Sequence, residues 1–279
     1  MNREQDLSED PAPAVLLPEV KGILFDLEGV LYVGSQAIEG AIEAVERVKA
    51  AGICHRFVTN TSTLARESLC NKLRAVGFQA EASEIFSAPQ AALRYLKQRP
   101  NSACHLLLAE DARRDFGAVN QTSLDKARYI VLGDIGETWS YELLNRIFNR
   151  LMDGAQLIVI HKNRFWQTAE GLRMDIGGFV AALEYCSGTT ALVMGKPAPE
   201  FFRLALGDMG LSARNVAIIG DDIDADIGGG QAAGLKGILV KTGKYRRDYV
   251  EASSIRPDRV IDSVCDLPVL LGVASEGRA

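Results

Sequence analysis

Gly22-Ile23-Leu24-Phe25-Asp26-Leu27-Glu28-Gly29-Val30-Leu31 is the stretch whose reading decides the fold. Residues 23–25 are a short buried strand, Asp26 ends it, and Gly29 lets the chain turn sharply. A carboxylate at the carboxyl end of a strand in an α/β sheet stands at the mouth of the usual ligand crevice. Asp26 is therefore a candidate nucleophile, provided the rest of the chain brings suitable groups to it.

Outward from this stretch, strand and helix patterns alternate. Ile42, Val45 and Val48 recur at helical spacing until Gly52, and residues 53–58 form a second strand ending in Thr59-Asn60-Thr61. Leu64, Leu69, Leu73 and Val76 mark a further helix that Gly77 stops. Strand–helix–strand–helix with short connections means parallel strands joined by right-handed crossovers. Residues 88–186 alternate on their own, with strands over 106–108, 129–132 and 157–160 and helices over 141–152 and 178–185. Residues 191–194 then lead into Gly195-Lys196-Pro197, 216–219 lead into Gly220-Asp221-Asp222, and 238–240 are the last well-buried strand. The expected fold class is α/β: a doubly wound, Rossmann-like parallel sheet built from 19–87 and 187–279, with an inserted α/β cap over 88–186. Residues 1–18, with Pro11, Pro13, Pro18 and mixed charges, read as a flexible tail and not as a signal peptide.

Composition narrows the function. With 279 residues, 47% apolar and 24% charged, the chain has the ordinary make-up of a soluble globular protein large enough for a core and a cap. The net charge of −5 gives no reason to expect nucleic acid or an anionic membrane as partner. No apolar run reaches the roughly 18 residues that span a bilayer. Three histidines leave little room for a histidine metal site, so the chemistry falls to carboxylates. Cys54, Cys70, Cys104, Cys186 and Cys265 are odd in number, widely spaced and free of Cys-x-x-Cys pairs. They are expected as small buried hydrophobes in a cytoplasmic protein.

Four strand ends carry reactive groups: Asp26 with Glu28, Thr59 with Asn60, Lys196, and Asp221 with Asp222 and Asp226. A parallel sheet directs its carboxyl-terminal ends to one side, so these distant segments can share a pocket. Crowded carboxylates need a compensating cation, and hard oxygen donors favour Mg²⁺. Such an ion and Lys196 would screen a phosphoryl dianion from Asp26, while Thr59 and backbone N–H groups held its oxygens. Asp26 would form an acyl-phosphate that water cleaves. Glu28 is placed to protonate the leaving oxygen and then activate that water. Each piece also has a plainer reading. Asp26 could be a turn residue, Thr59-Asn60-Thr61 a helix opening, and Lys196 a solvated helix start. The Asp221–Asp226 carboxylates could form a calcium loop or an acidic first turn, with Asp224 a cap or surface residue. The glutamate and glycine positions of an EF-hand are missing, and all four motifs sit on strand ends, which favours the joint reading. In the cap, His161-Lys162-Asn163-Arg164-Phe165-Trp166 could grip a second anion or stack on a flat substrate; a solvated loop with one packed aromatic is the plainer alternative.

Together these residues resemble the haloacid dehalogenase-type phosphatases. The four motifs match Asp26-Leu27-Glu28-Gly29-Val30, Thr59-Asn60, Lys196 and Gly220-Asp221-Asp222 with Asp226, and the cap between the second and third is similar to subclass IIA. Gly136-Glu137-Thr138-Trp139-Ser140-Tyr141, Ala181-Ala182-Leu183-Glu184-Tyr185, the segment from Gly195 to Phe202 and Ile219-Gly220-Asp221-Asp222-Ile223 carry the likeness to its phospholysine/phosphohistidine inorganic pyrophosphate phosphatase branch. The resemblance implies a Mg²⁺-dependent phosphatase acting on a small phosphorylated metabolite or pyrophosphate, with Asp26 as nucleophile. It implies Mg²⁺ on the Asp26 and Asp221 side chains and the Glu28 carbonyl, with Asp222 and Asp226 behind them orienting water and Lys196. Thr59, Asn60 and Lys196 would bind the phosphoryl oxygens, and caps of this type imply a homodimer. One departure matters: most members carry Asp where this chain has Glu28, and one extra methylene shifts the proton donor by about an ångström. The competing reading is a weak or inactive protein that binds a phospho-ligand.

Overall fold

The computed structural model describes residues 17, 19–99, 102–168 and 171–273, so the expected tail lies outside it apart from Leu17. Six parallel strands make the larger sheet, in spatial order Arg259–Ile261, Lys236–Val240, Val216–Gly220, Gly22–Asp26, Cys54–Thr59 and Ile85–Ser87. The chain builds outward in both directions from Gly22–Asp26, which puts Asp26 at the topological switch point where α/β sheets open a crevice.

Alternate residues of that strand feed two cores. Ile23 and Phe25 pack with Val45 and Val48 of helix Ala41–Ala50 and with Leu69 and Leu73 of helix Arg66–Val76. Leu24 packs on the other face with Leu93 of helix Ala88–Lys97 and with Phe201 and Phe202 of helix Pro199–Met209. Helices therefore cover both faces, which is why the strand reads as an unbroken apolar run. Helix Arg66–Val76 starts at Ala65, whose side chain cannot cap it. Asp111 accepts the Ala65 N–H at 2.7 Å and Asp115 accepts the Arg66 N–H at 2.8 Å, so a distant segment supplies the missing acceptors.

A second sheet of four parallel strands has the order Leu192–Val193, Gln156–Val159, Tyr129–Leu132 and Cys104–Leu107. Ile147 and Leu151 of helix Tyr141–Met152, with Val180 and Leu183 of helix Gly177–Ser187, pack against Ile130, Leu132, Leu157 and Val159. An antiparallel hairpin, Phe165–Thr168 and Gly171–Met174, stands apart from this sheet.

Three features differ from the sequence reading. Helix Ala88–Lys97, assigned to the cap, follows strand Ile85–Ser87 of the larger sheet and packs in a core that both sheets share, with the Ser87 hydroxyl accepting the Gln90 N–H at its start. Residues 191–194, read as a core strand, give Leu192–Val193 to the cap sheet, where they pair with Ile158 and Val159. Apolar periodicity shows that a segment is buried but not against which sheet. Cys186 and Cys265 are exposed, against the expectation of burial. Among the described residues no helix is long and apolar enough to cross a membrane.

Phe201 is fully buried, with its ring edge-on to Phe86 and to Phe202 at 5.4 Å each. Phe201→Ala is expected to lower the unfolding free energy by about 3–5 kcal/mol, measured as a fall in urea midpoint at unchanged slope. A loss below about 1 kcal/mol would show that this contact is not part of the core.

Candidate active site

Strand Gly22–Asp26 delivers Asp26 to the crevice, and strand Val216–Gly220 delivers Asp221 next to it. A single turn of π-helix, Ile223–Gly228, then swings Asp226 back towards the strand ends. These three buried aspartates each offer an oxygen within 4.8 Å of the others. Into them reaches Lys196, itself buried: its Nζ donates to Asp26 Oδ1 at 2.6 Å and to Asp226 Oδ1 at 2.5 Å. One ammonium faces three carboxylates, so the cluster keeps an excess of negative charge.

The titration behaviour follows first from burial and then from the neighbouring charges. Burial raises the Asp26 carboxyl above its ordinary value despite the adjacent Lys196. Burial pushes Asp221 up to about 6, and burial together with Asp26 does the same to Asp226. Burial alone would discharge Lys196, but Asp226 and Asp26 outweigh it and hold the ammonium protonated above its usual range.

The support around Asp221 indicates what the surplus is for. Its Oδ2 accepts the Lys244 N–H at 2.7 Å, whereas its buried Oδ1 has no hydrogen-bond partner. Gly29 and Gly243 hold left-handed backbone beside it, with φ of 85° and 62°, and a Cβ on either would collide with the carboxylate. The backbone is thus drawn in against Oδ2, which fixes the carboxylate and leaves Oδ1 buried and unpartnered beside the Asp26 and Asp226 carboxylates. This donor set fits a hard divalent cation such as Mg²⁺.

The other expected residues take distinct places. Asn60 clamps the lysine backbone: its Oδ1 accepts the Lys196 N–H at 2.7 Å and its Nδ2 donates to the Lys196 carbonyl at 2.8 Å. Thr59 accepts the Thr61 N–H at 3.1 Å and shares a 2.9 Å hydrogen bond with the Thr61 hydroxyl. Asp222 does not touch Lys196. It caps the π-helical turn, with Oδ1 accepting the Asp224 and Ala225 N–H groups, and Oδ2 lies 3.3 Å from Lys244 Nζ. Asp224 accepts the Tyr249 hydroxyl at the surface. Glu28 is exposed; Oε1 accepts the Gly34 N–H at 2.9 Å and Oε2 lies 3.7 Å from Lys72 Nζ.

Asp26, Glu28, Thr59, Asn60, Lys196, Asp222 and Asp226 line one cavity of about 820 Å³. The cap contributes Asp134, His161, Asn163 and Asp175 to the same lining. Of the cap segment singled out from the sequence, His161 is buried in this lining, Arg164 and Phe165 are exposed, and the Trp166 side chain lies outside the described residues. Sequence reasoning missed Asp134, Asp175, Gly243 and Lys244. Asp134 follows a strand end, as does Gly243-Lys244, so the rule that found Asp26 could have found them.

Residues 23–120 match the model of the haloacid dehalogenase-like hydrolase family, and residues 193–267 match a further model described as HAD-hydrolase-like. The chain is 38% identical over 261 residues to the phospholysine phosphohistidine inorganic pyrophosphate phosphatase of Rattus norvegicus, covering 91% of this chain and 95% of that protein. It is 42% identical over 227 residues to haloacid dehalogenase-like hydrolase domain-containing protein 2 of Homo sapiens, covering 81% and 86%. Among solved structures, the p-nitrophenyl phosphatase from Archaeoglobus fulgidus superposes with a TM-score of 0.83 at 29% identity, covering 90% of this chain and 98% of that one. The chain belongs to the haloacid dehalogenase-like hydrolases.

Removing the ammonium tests the charge arrangement. Lys196→Met is expected to lower the unfolding free energy at about pH 7.5 by about 3–5 kcal/mol, because it leaves buried carboxylates uncompensated. Native Asp221 and Asp226 bind protons near pH 6, whereas unfolded aspartates do so near 4. Their raised values give a stability contribution that is present at low pH and lost as pH rises through about 6. The deficit of the variant should therefore shrink on acidification to about pH 5, read from urea midpoints at both pH values. An equal deficit at both would contradict the arrangement.

Proposed function

We propose that this chain, a haloacid dehalogenase-like phosphatase, hydrolyses a small phosphorylated metabolite or pyrophosphate through a phospho-aspartyl intermediate on Asp26. The observation that carries this reading is the Lys196 ammonium shared by Asp26 and Asp226 beside the unpartnered oxygen of Asp221. Asp26, through its side chain, Asp221 and the Glu28 carbonyl are the groups that would hold Mg²⁺, which when bound supplies positive charge to the phosphoryl oxygens.

The remaining steps belong to the chain. Asp26 attacks phosphorus, the bond to the leaving oxygen breaks, and the phosphoryl group rests on the carboxylate. Lys196 holds Asp26 ionised and adds charge where the oxygens gather, with Asp226 fixing its ammonium and Asn60 its backbone. The Thr59 hydroxyl and the N–H groups after Asp26 meet the remaining oxygens. Water attack on phosphorus then frees phosphate and restores Asp26. Cap residues Asp134, His161 and Asp175 line the same cavity, where they would flank the leaving group. The names of the rat and archaeal relatives, a pyrophosphate phosphatase and a p-nitrophenyl phosphatase, support a small phosphorylated substrate or pyrophosphate. The same reading makes the protein a cytoplasmic homodimer, supported by the free thiols and by a cap hairpin that exposes Phe165, Leu172 and Met174.

A second reading, a phospho-ligand binder with little turnover, draws on one observation: Glu28, the expected proton donor, is exposed and tied to Gly34 and Lys72. Phosphate release from a panel of phosphorylated metabolites and pyrophosphate separates the two. Turnover is expected with Mg²⁺, with loss on chelation and recovery on adding the metal back. Asp26→Asn should reduce it by at least about three orders of magnitude while the protein stays folded. Ligand binding without phosphate release from any substrate would favour the binder, and an active Asp26→Asn would remove Asp26 from the chemistry.

A further inference from the structure

Breaking a phosphate ester leaves an oxygen that needs a proton, and the group expected to give it is turned elsewhere. The Glu28 side chain is 56% exposed, with one oxygen on the Gly34 N–H at 2.9 Å and the other 3.7 Å from Lys72 Nζ. Gly34 lies in the turn of the hairpin formed by Tyr32–Val33 and Gln36–Ala37, and Lys72 also sits over the Tyr32 ring at 4.6 Å. Glu28, Lys72 and Tyr32 thus pin this hairpin beside the cavity.

The same cavity is lined by a buried imidazole that the phosphoryl-transfer steps leave unused. His161 is 5% exposed and follows cap strand Gln156–Val159, with Nε2 3.2 Å from the Ser62 hydroxyl of the core. Its Nδ1 is buried without a hydrogen-bond partner, and Asp175 Oδ2 lies 3.8 Å away. That distance is an ion-pair contact and not a hydrogen bond, and catalytic hydrogen bonds in substrate-free sites are often long and tighten only when substrate binds. Asp175 is itself buried, and its Oδ1 accepts the Ile176 N–H at 2.7 Å, which fixes the carboxylate.

We propose that His161, oriented by Asp175, is the acid–base group for the leaving oxygen, and that Glu28 serves as a latch for the hairpin. With Nδ1–H turned to Asp175, Nε2 is the nitrogen directed to Ser62 and the cavity. As the bond between phosphorus and the leaving oxygen breaks, the Nε2–H proton passes to that oxygen and the imidazole becomes neutral. The neutral ring then takes a proton from the water that attacks phosphorus, which restores the imidazolium and releases phosphate from Asp26. No other reactant is needed. Burial pushes the imidazole below its ordinary value, and the carboxylates of Asp175 and Asp134 oppose that loss of charge. Among the described residues, the Ser62 hydroxyl is the core group hydrogen-bonded to the ring.

The proposal rests on the phosphatase reading, and leaving-group dependence tests it separately. Phenyl phosphate and p-nitrophenyl phosphate differ little in size, but phenolate is about as basic as a tyrosine side chain (pKa about 10) and needs a proton, whereas nitrophenolate is a far weaker base. His161→Gln is expected to slow phenyl phosphate turnover on the order of 10²-fold and p-nitrophenyl phosphate only a few-fold. Asp175→Asn should show the same selectivity to a smaller degree, and this second variant covers a misfolded first one. Glu28→Gln should change both substrates by one common factor. Equal losses on both substrates in His161→Gln and Asp175→Asn, or a selective loss in Glu28→Gln, would overturn the proposal. Selective loss is read on whichever pair of good and poor leaving groups the wild type turns over; a wild-type protein that releases phosphate from neither aryl substrate nor from any member of the metabolite panel would overturn the phosphatase reading itself, and the proposal with it.

Discussion

A buried ammonium wedged between two carboxylates, with a third close by, is the constraint on which the rest of this structure depends. Isolated buried charges are expensive, and Lys196 is tolerable only because Asp26 and Asp226 meet it at hydrogen-bond distance. The aspartates depend on it equally. The arrangement also ties two sheets together, since the aspartates follow strands of the larger sheet and Lys196 follows a strand of the smaller one. Their charges are matched only when the sheets are docked. Asn60, which grips the lysine backbone from the loop after Cys54–Thr59, fixes that docking at the point where it matters.

The cluster is not neutral, and this is its chemical use. Three carboxylates and one ammonium in a poorly solvated crevice leave charge for a hard cation to balance, and the glycines packed against Asp221 Oδ2 hold that carboxylate with its other oxygen unpartnered. Burial, with the neighbouring carboxylates, raises Asp221 and Asp226 to about 6, so the site carries a standing cost in stability at neutral pH. Functional sites commonly hold such strain while the surrounding core supplies the stability. Here two apolar layers flank the Gly22–Asp26 strand.

Much of this could be read from the sequence, and the limits have physical causes. Asp26, Asp221 and Lys196 were legible because a strand end beside a glycine or a proline leaves a local signature. The helix over 141–152 was legible because its apolar stripe faces one sheet. The sheet to which 192–193 belongs was not, because a short, half-buried apolar run looks alike whichever sheet pairs with it. Edge strand Arg259–Ile261 exposes two of its three residues and gave no apolar run to detect. The start of helix Arg66–Val76 was hidden because its acceptors, Asp111 and Asp115, lie more than forty positions away (46 and 49 residues). The outward turn of Glu28 depends on Gly34 and Lys72, and no spacing rule relates these residues.

The most direct test of the central claim is to catch the phosphoryl group on the protein. Wild-type enzyme mixed with substrate and Mg²⁺, quenched in acid within the first turnover and digested, should yield one phosphorylated peptide, the one containing Asp26. Product formation in that interval with no phosphoryl group on that peptide, or with the group on another residue, would contradict the account.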